Sequence, residues 1–203
     1  MSPKSPARVK PSEVAMLNPV WIDIQANPEE FVAHEDVPYL WAQREDGHVV
    51  LGVEEPWKYP HAFAESAKPM LEKMKKHYEA QAEHWRDQGI KDGSGGHPTV
   101  AARIESTGVV STPAGSAFLG GELRYNKRSN QWVLNNYSGR FGRGDELKDG
   151  SVKKASVQQT LDEVATCIQQ QTGLGVSARV MGKRMFMELQ VERLTGWVRR
   201  KTE

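Results

Sequence analysis

Three short stretches in the middle of the chain carry the residue types from which a reactive site can be built. In Gly95-Gly96-His97-Pro98-Thr99 an imidazole follows two glycines. Pro98 disfavours helical geometry at His97, and bare glycine backbone lets a ligand come close. An imidazole so placed can hydrogen-bond a ribose or an amide, or carry a proton near neutral pH. The competing reading is a loop histidine bonded to a carbonyl. In Phe118-Leu-Gly-Gly-Glu-Leu-Arg-Tyr125 the two-residue alternation puts Glu122 and Arg124 on one face, Leu123 and Tyr125 on the other. Adjacent glycines weaken a strand and mark close approach by a ligand or by another backbone. A carboxylate beside that gap can stabilise positive charge on a sugar carbon or take a proton. The alternative is an exposed strand glutamate paired with Arg124 or Lys127. Third comes Trp132-Val-Leu-Asn-Asn-Tyr-Ser-Gly-Arg-Phe-Gly-Arg143, where two amides, a hydroxyl and two arginines sit among glycines. Such a loop can form a backbone nest for a phosphate, with Arg140 and Arg143 as forks; alternatively it is a solvated turn.

Other chemistry finds less support. The chain has no Walker loop, Rossmann glycine fingerprint or His-Glu-x-x-His zinc pattern, and no metal is expected. His77 and His84 lie two turns apart on an expected helix, where surface histidines beside an apolar stripe compete with a zinc pair. Cys167, the single cysteine, falls within an amphipathic segment and reads as a small packed hydrophobe rather than a nucleophile.

The elements that must position these residues read as follows. Residues 39–44 and 48–54 flank Glu45-Asp46-Gly47, a hairpin signal, and residues 21–24 add a strand. Two prolines within residues 54–60 interrupt regular structure. Residues 66–88 form the strongest helical pattern, with Met70, Met74, Tyr78, Ala82 and Trp85 as its apolar stripe and Gly89 as its end. After the glycine-rich connector 92–96, strand-like runs cover 99–105, 108–111, 118–125 and 131–136, the last two joined by a loop at 126–130. A helix at 156–171 presents Val157, Leu161, Val164 and Ile168 and stops at Gly173. A strand at 175–181 and a helix at 186–200 follow. Strands of mainly antiparallel character with segregated helices predict an α+β fold, with one long amphipathic helix in the first half and two toward the C-terminus.

Residues 1–18 read as a flexible basic arm and residues 19–203 as one domain, with the site region at 92–143. The 203 residues carry 27 basic and 26 acidic side chains, a net charge of +1 that offers no global field for nucleic acid or anionic lipid. An RNA-contacting surface from Arg140, Arg143, Lys153 and Lys154 with Tyr125 or Trp132 lacks a recognised motif. One cysteine excludes an intrachain disulfide scaffold. No apolar run approaches the roughly 20 residues of a membrane helix, and the N-terminus lacks the apolar core of a secretory signal. A cytoplasmic site of synthesis is the expectation.

The succession His97-Pro-Thr99, Gly120-Gly-Glu122-Leu and Trp132…Asn135-Asn-Tyr-Ser-Gly-Arg-Phe141 resembles a layout found in bacterial effectors and polymorphic-toxin ends. It is similar to effector ADP-ribosyltransferases that modify host ubiquitin, and a related layout occurs in plant calmodulin-binding proteins. The resemblance implies a mixed β-rich transferase core that uses NAD, and a protein target in a cell into which the domain is delivered. It implies Glu122 as the catalytic carboxylate and His97 in the dinucleotide pocket. Thr99, Gly121, Asn135, Ser138, Gly139 and Arg140 complete the implied cofactor contacts. The chain departs from the pattern in having glycine for the alanine of Ala-Gly-Glu, and Phe141 where the pattern has tyrosine. A second acidic residue is not assigned; Asp92 is the nearest candidate. The plant proteins show that such a layout also serves as a scaffold. A non-catalytic adaptor, immunity or scaffold protein is therefore the alternative, with Trp41, Trp57, Tyr59 and Trp85 as an exposed aromatic supply.

Overall fold

The computed structural model describes residues 21–87, 100–101, 103–104, 110–112, 117–138, 141–142 and 152–181. Strand β1 (Trp21–Asp23) precedes the hairpin of β2 (Tyr39–Arg44) and β3 (Val49–Gly52), and helix α1 spans Lys68–Asp87. Two short strands, β4 (Arg103–Ile104) and β5 (Val110–Thr112), pair with each other. The long strand β6 (Ala117–Asn126) turns into β7 (Gln131–Asn135), followed by α2 (Val152–Thr172) and β8 (Val176–Arg179). The main sheet has the order β1-β3-β2-β6-β7-β8, antiparallel throughout except for the parallel pair β7–β8. Parallel neighbours need a crossover, and α2 is that crossover. The fold is α+β, as the strand and helix patterns predict.

Local chemistry explains the turns. Gly47 adopts φ +86°, and the Asp46 carboxylate accepts the His48 backbone N–H at 3.1 Å, which closes the β2–β3 hairpin. At the β6–β7 turn the Asn126 side chain accepts the Arg128 N–H at 3.0 Å, and Asn130 takes the left-handed conformation at φ 53°. Gly173, at φ +73°, ends α2 by donating its N–H to the Gln169 carbonyl at 2.9 Å. The Glu54–Pro60 break resolves into two short 3-10 turns, Pro56–Lys58 and Pro60–Ala62.

The sheet is buried on both faces. On one, Tyr39, Trp41, Leu51, Leu123 and Leu134 pack against Val157, Leu161, Val164 and Ile168 of α2, the stripe the spacing predicts. Burying such side chains stabilises by roughly 1.5–3 kcal/mol each, so packing rather than intrinsic propensity holds α2 in place. On the other, Leu40, Ala42 and Val50 meet Val100, Ala101, Ala117 and Phe141. Four consecutive buried residues in β2, Tyr39–Ala42, follow from its central position between these layers.

Three expectations need correction. Helix α1 does not bury a stripe through Met70: that residue is 41% exposed, whereas Leu71 is 2% exposed. Met74 and Tyr78 are half-buried, so the packed edge runs through Leu71, Met74 and Tyr78. Met70 lies one residue, about 100° of helix, off that edge. Within the run 99–105, the backbone at Val100 is helical and the strand begins only at Arg103. Trp41 is not an exposed aromatic: it is fully buried, and Trp132 is 7% exposed. The N-terminal arm, the end of α1 at Gly89 and the expected helix 186–200 lie outside the described residues.

Candidate functional site

Glu122 stands directly across from Leu40 in the β2–β6 ladder, so its side chain shares the face of Leu40, Ala42 and Phe141. Leu123, one residue on, points into the α2 core. The alternation therefore holds; of the alternative reading, an exposed glutamate paired with Arg124 or Lys127, the Arg124 pairing is present but the exposure is not, because Glu122 is 4% exposed. Arg124, two residues along the same face, forks onto it: Nε donates to Oε2 at 2.7 Å and Nη2 to Oε1 at 2.9 Å. The pair is lopsided, with side-chain exposures of 5% for Glu122 and 44% for Arg124. Burial works against the guanidinium's charge. The hydrogen bonds to Glu122 and that carboxylate's charge outweigh it, with Tyr59 and Glu54 adding to the effect, and Arg124 lies above its usual range. Glu54 also acts on Tyr78, whose hydroxyl is pushed up by burial first and then by Glu55 and Glu54. Trp57 packs on Tyr78 with ring centroids 5.1 Å apart.

The glycine pair before Glu122 admits protein rather than a ligand. A Cβ at Gly121 would lie 1.7 Å from the Asn135 carbonyl oxygen, and one at Gly120 would lie 2.9 Å from the Trp41 oxygen and 3.2 Å from Phe141 Cβ. The space at Gly121 is thus taken by the chain's own backbone, the second of the two approaches that a glycine pair in a strand marks. The freed space lets the Asn135 carbonyl accept the Trp41 indole N–H at 2.8 Å. The Asn135 side-chain oxygen accepts the N–H groups of Glu122 at 3.2 Å and Tyr137 at 2.7 Å. It shapes the backbone under the carboxylate.

The loop after β7 spends its polar groups in the same way. Asn136, fully buried, donates to the carbonyls of Gly142 at 2.7 Å and Met181 at 3.2 Å and accepts the Met181 N–H at 2.6 Å. Ser138, 5% exposed, accepts the Phe141 N–H at 3.0 Å through its hydroxyl. Asn136 ties the loop to the segment after β8, and Ser138 closes the loop on itself. Sequence reading counted Ser138, together with Asn135, among the ligand groups because amides and hydroxyls look alike in a nest and in a self-bonded turn. It also missed the Asn136 tie, whose partner at Met181 is 45 residues away.

Val100, which directly follows Thr99, packs in one cluster with Phe141 of the Ser138–Phe141 turn, on the sheet face that carries Glu122. His97, Thr99, Gly139, Arg140, Arg143 and Asp92 lie outside the described residues. Cys167 is half-buried beside the core, and burial followed by the charge of Asp23 pushes its thiol up, away from nucleophilic use. Among the described residues no three His, Cys, Asp or Glu side chains are grouped to hold a metal ion, and no helix is long and apolar enough to cross a membrane.

Fold and site together define a mixed-sheet α+β protein with an ion-paired carboxylate on the sheet face away from its crossover helix. Set against known proteins, the chain matches no family model, no curated protein and no solved structure.

Proposed function

We propose that the protein is an NAD-dependent ADP-ribosyltransferase-like domain, of effector or toxin type, that modifies a protein target. One observation carries this reading: Val100, the residue next after Thr99, packs with Phe141 on the sheet face that carries Glu122, although 41 positions separate Val100 from Phe141. NAD supplies a ribose whose bond to nicotinamide breaks with positive charge building on the sugar carbon. Glu122 stabilises that charge, and the Asn135 side chain beneath its backbone fixes where the carboxylate stands. Arg124 keeps the carboxylate oriented, and release of one arm of its fork frees an oxygen for the ribose.

The test is nicotinamide release from NAD, alone and with a cell lysate as acceptor. Wild type is expected to release it and Glu122→Gln to lose at least about a hundredfold of that rate, the scale of one electrostatic contact made in a transition state. Equal release by the two proteins removes the reading.

A second reading is favoured by the fork itself. Both oxygens of Glu122 are bonded to Arg124, which suits a scaffold that binds a partner without chemistry. In that case NAD at 100 times any working dissociation constant leaves thermal stability unchanged, whereas a nucleotide site would add about 2.7 kcal/mol.

A further inference from the structure

A separate concavity lies on the sheet face that packs against α2, away from Glu122. Ile22 of β1, Leu51 of β3, Tyr39 of β2 and Val53 form its floor, and Phe31 and Phe63 come from the two loops above. Its volume is about 270 Å³, just below the roughly 300–1,000 Å³ of sites that hold drug-sized molecules, so it accommodates one ring with a short chain. The walls are set before any ligand arrives. Tyr39 donates its hydroxyl to the Val32 carbonyl at 3.1 Å and accepts the His34 N–H at 2.9 Å. Phe31 meets Tyr39 edge-on at 5.1 Å and 73°.

The charge at this cavity has one sign. Glu30 is the only charged residue among those that line it, it is exposed, and no cation pairs with it among the described residues. From Trp21 to Gln43 the chain has five carboxylates and no lysine or arginine. An apolar body would displace water from the aromatic walls, and a positive end would meet both Glu30 and the electron-rich ring faces. A neutral ligand gains only the first of these, and an anionic one is repelled.

We propose that this cavity is a binding site for a small organic cation, an amine with an aromatic or short aliphatic body. It is independent of the transferase reading, because it uses neither Glu122 nor its face of the sheet. The test is titration of the full chain with 2-phenylethylamine, 2-phenylethanol and phenylacetate, followed by protein NMR or calorimetry. The amine is expected to bind saturably and roughly fivefold tighter than the alcohol, the reach of one exposed ion pair, with phenylacetate weakest. Glu30→Gln should bring the amine down to the alcohol's affinity, and Ala62→Phe should fill the cavity and block all three. Absence of saturable binding, an amine no tighter than the alcohol, or a preference that survives Glu30→Gln each overturns the proposal. Glu30 is exposed, so its variant decides the matter even if Ala62→Phe fails to fold.

Discussion

The indole N–H of Trp41 donates to the backbone carbonyl of Asn135 at 2.8 Å, and the contact exists because Gly121 has no side chain. A Cβ there would stand 1.7 Å from that same oxygen. The glycine pair next to Glu122 is therefore an architectural requirement: it lets the end of β7 close onto β6 and places the Asn135 amide under the carboxylate.

Gly121→Ala is accordingly expected to cost about 4 kcal/mol, at the severe end for single substitutions, because backbone must move. Gly175→Ala is the control, since nothing lies within 4 Å of a Cβ at that position, and it should stay within about 0.5 kcal/mol of wild type. Denaturant midpoints measure both. A Gly121→Ala protein as stable as the control would contradict the packing described.

The Glu122–Arg124 pair should respond asymmetrically. Arg124→Gln leaves a carboxylate that is 5% exposed without its forked partner, whereas Glu122→Gln leaves a guanidinium that is 44% exposed and can turn to water. Discounted for that exposure, the costs are about 2–3 kcal/mol for Arg124→Gln and about 1 kcal/mol for Glu122→Gln. The reverse order in urea unfolding would show that the arginine is the buried member.

Acid should weaken the β2–β3 hairpin through Asp46. Burial alone would raise its pKa, but the Arg44 hydrogen bond, the His48 N–H and the charge of Arg44 outweigh it and hold the carboxyl at about 2, against 3.8 unperturbed. A folded-state pKa below the unfolded one means stability that is fully present above the unfolded value and lost as pH falls through the folded one. At most about 2 kcal/mol should disappear between about pH 4 and pH 2. Asp46→Asn should lack this part of the acid limb, so the gap between variant and wild type narrows over that window.

On α1 the two candidate faces give opposite results. Leu71→Ala, at 2% exposure, should cost about 2–3 kcal/mol, and Met70→Ala, at 41%, within about 0.5 kcal/mol. Thermal melts of the two variants distinguish the packed edge from the adjacent one.

Much of the fold was legible because the signals are local. The Asp46-Gly47 turn, the β6–β7 hairpin and the α2 stripe each depend on residues within a few positions of one another, and each forms where its spacing predicts. Met70 misled because α1 carries methionines and leucine on adjacent edges, and only contact with the neighbouring 3-10 turns selects between them. Trp41 misled because a tryptophan in a hairpin reads as exposed until the neighbouring layers are known.

By itself the sequence determined the alternation that sends Glu122 and Leu123 to opposite faces, and the residues able to cap, turn and line a helix. Such properties follow from backbone periodicity and side-chain chemistry over short range. Tertiary structure alone decided what fills the space at Gly121, that Asn136 ties the loop to Met181, and that the carboxylate paired with Arg124 is buried. Each depends on which distant strands become neighbours, and that pairing is set by the burial of the whole sheet rather than by any single stretch of chain.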